Sequence, residues 1–284
     1  MSLTLVPPRP LRAFSIAVTS GKGGVGKTSV AIHLAGALAN LRRRVALVDA
    51  DFALGNIDVR LGLTPTEHLG GVLAGECDVD AITMTGPLGI DVVPAASGVR
   101  ELSHLEPIQW RRLARALSDL AEDRDFLVID TASGVSDAVL DVIGLADYAL
   151  VVASDEPAAL VDAYATIKLV TEADRTKPIG VVVNAIRDAD DAERVYSQLS
   201  RASRRFLQRP LRDDGYIVDD PSVCAAPPAS ARLGDDLAAS PAGRCFRRLA
   251  ARLAAAAVVP PDPGPAPALV RLDAPALVEA PRCA

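Results

Sequence analysis

Eight residues near the N-terminus, Gly21-Lys22-Gly23-Gly24-Val25-Gly26-Lys27-Thr28, narrow the fold of this chain more than any other stretch. They satisfy the pattern Gly-x-x-x-x-Gly-Lys-[Ser/Thr], follow the β-branched run Ser15–Thr19 and open the helical pattern Lys27–Leu41. Strand, glycine-rich turn and helix in that order imply a parallel α/β sheet with its ligand crevice at the carboxyl ends of the strands. The glycines let the backbone turn until successive N–H groups face inward, and the helix N-terminus adds its positive dipole end. Such a loop cradles phosphate groups. Lys27 is placed to neutralise the β- and γ-phosphates of a nucleotide and the Thr28 hydroxyl to ligate Mg²⁺. Gly21, Gly23, Gly24, Val25, Gly26 and Ser29 complete the expected cradle.

The remaining chain agrees with that start. Short β-branched runs at Val45–Asp49, Ile90–Val93, Phe126–Asp130, Ala149–Ala153 and Gly180–Asn184, and one near Tyr216–Val218, alternate with helical patterns such as Pro107–Glu122 and Ala159–Ala173. Right-handed crossovers make this a doubly wound, mostly parallel sheet with helices on both faces. Half the residues are apolar but only 4% are aromatic, so the core is built from Val, Ile, Leu and Ala, as a sheet buried on both faces requires. At 284 residues the chain fits one large domain, near the roughly 250–300 residues at which single cores stop growing. The expected division is an N-terminal arm over 1–12, a nucleotide-binding domain over 13–257 and a Pro/Ala-rich tail over 258–284, where closely spaced prolines cannot propagate a helix.

Two further strands end in carboxylates. Val48-Asp49-Ala50-Asp51 closes the second strand and Gly55-Asn56-Ile57-Asp58 follows; Phe126-Leu-Val-Ile-Asp130 is an apolar strand ending in Asp, with Thr131-Ala-Ser-Gly134 after it. Both ends fall at the expected crevice. Asp130 is placed to hold a magnesium water, and Gly134 to offer its N–H to a γ-phosphate.

Several classes are excluded or weakened. Cys77, Cys224, Cys245 and Cys283 form no Cys-x-x-Cys pair, so zinc or thioredoxin-like chemistry has no support and a reduced cytoplasmic protein is expected. His33, His68 and His104 lack ligand spacing. Met1–Arg12 has no apolar h-region, and no apolar run reaches the roughly 18–20 residues of a membrane span. The net charge of −6 argues against a surface devoted to nucleic acid. Two basic groupings stand out locally: Arg201, Arg204, Arg205, Arg209 and Arg212, and a helical pattern over Asp236–Ala257 in which Leu249 and Leu253 lie near Arg244, Arg247, Arg248 and Arg252. The second admits two readings, a helix packed on the domain or one lying on a membrane surface.

The order Lys22-Gly-Gly-x-Gly-Lys27-Thr28, with a second lysine inside the loop, resembles the deviant P-loop of the MinD/ParA family of P-loop NTPases. Leu61-Gly-Leu-Thr-Pro65, Val93-Pro-Ala-Ala-Ser-Gly98, Asp155-Glu-Pro157, Asp162-Ala-Tyr-Ala-Thr-Ile-Lys168, Arg205-Phe206-Leu207 and Gly215-Tyr216-Ile217 resemble its FlhG/FleN branch, the regulators of flagellar number and placement. The resemblance implies an ATP- and Mg²⁺-binding homodimer that hydrolyses ATP slowly. In it Lys22 reaches the partner's nucleotide, Asp51 positions the attacking water, Asp49 supports magnesium through its waters, and Asn184 recognises adenine. Implied partners are an SRP-type flagellar GTPase, a flagellar transcription activator and switch-ring components, with peripheral membrane contact at the inner face. The branch often begins with Asp-Gln-Ala-x-x-Leu-Arg, of which this chain keeps only Leu11-Arg12, and often has proline where Val218 stands. The alternatives on the same fold are a DNA-partitioning or cell-division positioning ATPase and an iron–sulfur carrier; the last needs paired cysteines near 130–137, where there are none.

Overall fold

The computed structural model describes residues 13–95, 105–224 and 239–257. The expected arm over 1–12, the tail over 258–284, residues 96–98 of the Val93–Gly98 motif, His104 and Cys283 lie outside them.

The chain opens with β1 (Phe14–Thr19), the glycine-rich loop and α1 (Lys27–Asn40), then β2 (Val45–Ala50). Three short helices follow, α2 (Ile57–Leu61), α3 (Leu69–Ala74) and α4 (Val79–Ile82), with β3 (Met84–Thr85) and β4 (Asp91–Val93). Next come α5 (Pro107–Glu122), β5 (Phe126–Thr131), α6 (Asp137–Leu145), β6 (Tyr148–Ala153), α7 (Pro157–Ala173), β7 (Ile179–Ile186) and α8 (Ala189–Ala202). The described chain closes with β8 (Arg212–Val218), α9 (Pro221–Cys224) and α10 (Pro241–Ala257). The eight strands form one sheet in the order β3-β4-β2-β5-β1-β6-β7-β8. Every described pairing is parallel except that of the two-residue β3, which runs antiparallel to β4. The direction of travel reverses at β1, so the loop after β1 sits at the switch point where ligands of such sheets bind.

Alternation along the strands divides the core into two. Ala17, Ala46, Val48, Leu127, Ile129, Ala149 and Val151 face the layer that contains Leu113 and Leu120 of α5 and Ile167 of α7. Their neighbours Ile16, Val18, Val45, Leu47, Val128, Leu150 and Val152 face α1 and α10. A period of two on a sheet covered on both sides produces this pattern.

The helices begin where their sequences provide for it. Asp188 caps α8 by accepting from the Asp191 N–H at 2.9 Å, and Gln109 Oε1 accepts from the Glu106 N–H at 2.8 Å in a capping box at α5. Helix α1 begins without such a cap, as α2, α4 and α7 also do. Gly26 stands before it in the left-handed region, no side chain caps it, and its first turn holds no acid.

Strand β8 begins four residues earlier than the sequence suggests, because Arg212-Asp213-Asp214 does not look like a strand. A register shift sets Val181 opposite Asp213 and Val182 opposite Gly215, and this irregularity accommodates Asp214. The carboxylate of Asp214 is buried, accepts from the Tyr148 hydroxyl at 2.6 Å and pairs with Arg212 at 2.9 Å. Burial pushes its pKa up to about 6.

Of the two readings for the C-terminal basic helix, the packed one holds. Helix α10 buries Cys245, Phe246, Leu249, Ala250 and Leu253 against α1 and β8, leaving Arg244, Arg247, Arg248 and Arg252 on its outer face. Its apolar stripe is occupied by the domain. No helix among the described residues is long and apolar enough to cross a membrane. The other basic grouping divides: Arg209 is hydrogen-bonded to the Arg175 and Lys177 carbonyls and Arg212 is paired with Asp214, while Arg201, Arg204 and Arg205 are exposed.

Candidate functional site

The glycine-rich loop depends on two residues held where side chains are strained, Gly24 at φ +85° and Gly26 at φ +87°. Space is open around Gly24, where an added Cβ would meet nothing within 4 Å. Gly21 is pressed against α7, since a Cβ there would lie 2.2 Å from the Asp162 carbonyl oxygen. The loop therefore has an open concave side and a tightly packed back. With the uncapped start of α1 it presents backbone donors as an anion site requires.

Strand pairing brings the expected carboxylates together. Asp49 and Asp130 are direct neighbours on β2 and β5, each 1% exposed, and Asp51 lies just beyond the strand end. Lys27, 6% exposed, donates to Asp130 Oδ1 at 2.7 Å. Burial raises the Asp130 pKa, opposed by the charge and hydrogen bond of Lys27 and by the Thr28 hydroxyl. Asp49 is pushed up to about 7, first by burial and then by the neighbouring Asp130. The buried carboxylates and the Thr28 hydroxyl form a hard-oxygen set suited to a small dication that retains waters, and a cation there would offset the repulsion between Asp49 and Asp130.

Asp49 also shapes the segment beyond β2. One of its oxygens accepts from the Asp51 N–H and the other from the Ile57 N–H, both at 3.1 Å. The Asp51 carbonyl accepts from the Gly55 N–H at 2.8 Å, and its carboxylate accepts from the Leu54 N–H at 3.0 Å. Residues 51–57 thus form a closed bracket hung on Asp49. Gly55 is required inside it, because a Cβ there would lie 2.3 Å from Ala95 Cβ and 2.8 Å from an Asp49 oxygen.

The other expected residues arrive at the loop with partners already engaged. Lys22 pairs with Glu156, the residue before α7. Gly134, at φ +100°, donates its N–H to the Ser20 carbonyl at 2.9 Å. Asn184, at the end of β7, donates its Nδ2 to the Val25 carbonyl at 2.8 Å, so its amide also braces the loop. Arg60 of α2 donates to Ser29 Oγ at 2.8 Å. Sequence reasoning missed Glu156, Ser20 and Arg60. Their contacts join residues that no local pattern relates; Glu156 stood within the Asp155-Glu-Pro157 segment and before a helix-starting proline, and neither signal pointed to Lys22.

The comparisons agree with this geometry. A ParA family model, described as NUBPL iron-transfer P-loop NTPase, matches residues 13–196. The antiactivator FleN of Pseudomonas aeruginosa is 40% identical over 238 residues, covering 84% of this chain and 85% of that protein. The septum site-determining protein MinD of Bacillus subtilis is 30% identical over 254 residues, covering 84% and 88%. Among solved structures, the Pyrococcus furiosus cell division ATPase MinD superposes with a TM-score of 0.68 at 25% identity, covering 85% of this chain and 98% of that one.

Proposed function

Because the chain belongs to the ParA/MinD family of P-loop NTPases, we propose that it is an ATP-driven dimerising switch that governs flagellar number and placement. The observation that carries this reading is the 40% identity to the antiactivator FleN over nearly the whole of both proteins. The convergence of Lys22, Lys27, Thr28, Asp49, Asp51 and Asp130 at one end of the sheet supports the nucleotide chemistry.

On this reading the loop from Gly21 to Ser29 holds the phosphates, and Lys27 exchanges Asp130 for β- and γ-phosphate oxygens. Thr28, Asp49 and Asp130 hold Mg²⁺, which supplies charge neutralisation when bound. Asp51 orients the attacking water, Gly134 gives its N–H to the γ-phosphate, and Asn184 meets adenine while bracing Val25. Lys22 leaves Glu156 for the nucleotide of a second copy. Hydrolysis is slow and returns the chain to the monomer. Partners that read the two states are an SRP-type GTPase, a flagellar transcription activator and switch-ring components, met in the cytoplasm or at the inner face of the membrane. Iron transfer gains no support, because Cys77 and Cys245, the free cysteines among the described side chains, lie on opposite faces of the sheet.

The test is an Asp51→Ala protein with Mg-ATP. It binds ATP as tightly as wild type within about twofold and turns over at least about a hundredfold more slowly, the size of loss expected when a water-positioning group is removed. Equal turnover in the two proteins would remove Asp51 from the reaction. A cell-division or partitioning role is the second reading, favoured by the likeness to MinD. ATP-dependent binding to nonspecific duplex that weakens steeply with salt would support partitioning.

A further inference from the structure

Arg60 has no part in the reading above, yet it joins two halves of the site. It lies on α2, a five-residue helix whose Ile57 and Leu61 are buried in the core and whose end is turned by Gly62 in the left-handed region. The helix therefore moves as a block, if it moves at all. Its first residue, Ile57, is the far end of the bracket hung on Asp49. From the other side of the block the Arg60 guanidinium donates to Ser29, in the first turn of α1 directly after Lys27 and Thr28. A continuous chain of contacts thus runs from the phosphate-binding helix through Ser29, Arg60, α2 and Ile57 to Asp49, and from Asp49 to the Asp51 N–H.

We propose that Arg60 is a positioning residue for hydrolysis: by holding Ser29 it fixes the Asp51 segment against the phosphate-binding helix. This rests on the ATPase reading above. The chemistry suits the task. A guanidinium carries several donors in a rigid plane, so a single bond to a short hydroxyl constrains direction as well as distance. Displacement of a reacting group by about an ångström is enough to cost a large factor in rate. The bond of Arg60 goes to a side-chain hydroxyl and leaves the backbone of the glycine-rich loop as it is, so its removal should alter turnover without altering nucleotide capture.

Three proteins are compared with wild type: Arg60→Ala, Arg60→Lys and the double substitution Arg60→Ala with Ser29→Ala. Single-turnover hydrolysis in Arg60→Ala is expected to fall about tenfold, while the ATP dissociation constant stays within about twofold. Lysine, which keeps a donor but loses the planar fork, should restore part of the rate. The double substitution should be no slower than Arg60→Ala alone, because both remove the same link. Backbone hydrogen exchange provides a readout independent of activity: the Gly55 and Ile57 amides should exchange several-fold faster in Arg60→Ala, with β5 unchanged. Unchanged exchange at Gly55 and Ile57 overturns the proposal. So does a rate within about twofold of wild type, or an equal loss of rate and affinity. Absence of hydrolysis in wild type, with exchange at Gly55 and Ile57 raised by the substitution, would instead sink the ATPase reading and leave the tether standing.

Discussion

The ion pair between Lys27 and Asp130 is a structural contact in its own right, whatever its part in the proposed function. Both groups are almost fully buried, so Lys27 is the cation that compensates Asp130, whose neighbour Asp49 is a second buried carboxylate. Lys27→Ala should abolish ATP binding and also destabilise the fold by about 3 kcal/mol, since it leaves buried charge without its partner. Urea unfolding and nucleotide binding on the same preparation check both effects; a variant that loses binding at unchanged stability would refute the structural half. The placement of Lys27, Thr28, Asp49, Asp51 and Asp130 at one end of the sheet could be read from contiguous motifs, because each sits at a fixed offset from a strand end or a glycine. The partners of Lys22, Gly134 and Ser29 could not. Glu156 is 134 positions from Lys22, and only packing of α7 behind the loop brings them together.

At the level of elements, the helix α10 contact shows what amphipathic patterning conveys and where it stops. The stripe of Leu249 and Leu253 was visible, but whether it faced a domain or a membrane was not, because the pattern specifies an apolar partner without identifying it. The partner includes α1, where the His33 ring packs at a tilt against Phe246, 5.1 Å between ring centroids. Burial, with a smaller push from Arg60, lowers the His33 pKa to about 4. The unfolded chain therefore binds a proton between about pH 6.5 and 4 that the folded chain refuses, and stability falls as pH drops through that window. The loss approaches roughly 3 kcal/mol at full effect. Denaturant midpoints of wild type and His33→Leu at pH 7 and pH 4.5 should show a smaller acid loss in the variant. Strand β8 was legible only at its apolar end, because its charged start is stabilised by partners on other strands. Gly180 of β7 belongs to the same arrangement: a Cβ there would fall 1.9 Å from Asp214 Oδ2 and 2.0 Å from the Tyr148 hydroxyl. Gly180→Ala should destabilise by about 2–3 kcal/mol through overpacking, read as a lower melting temperature.

For the whole molecule, the doubly wound order placed the glycine-rich loop and the carboxylate ends of β2 and β5 at one end of the sheet, and it was legible because strand and helix periods alternate cleanly through the chain. Among the proposed properties, self-association through that end has the sharpest test. Lys22→Ala should remain monomeric with Mg-ATP under conditions in which Asp51→Ala dimerises, as followed by light scattering; dimers of Lys22→Ala would show that Lys22 does not act across subunits.

The contacts at the loop have one more consequence. Lys27, Lys22, the Gly134 amide and the Asn184 amide each hold an acceptor within the chain. An anion with a few oxygens can replace one of these acceptors but must leave the rest in place, so it gains little by the exchange. On the proposed reading a nucleoside triphosphate takes over the Lys27 and Gly134 contacts together. Selection on that reading works by length, since an anion too short to reach both contacts gains little by displacing either.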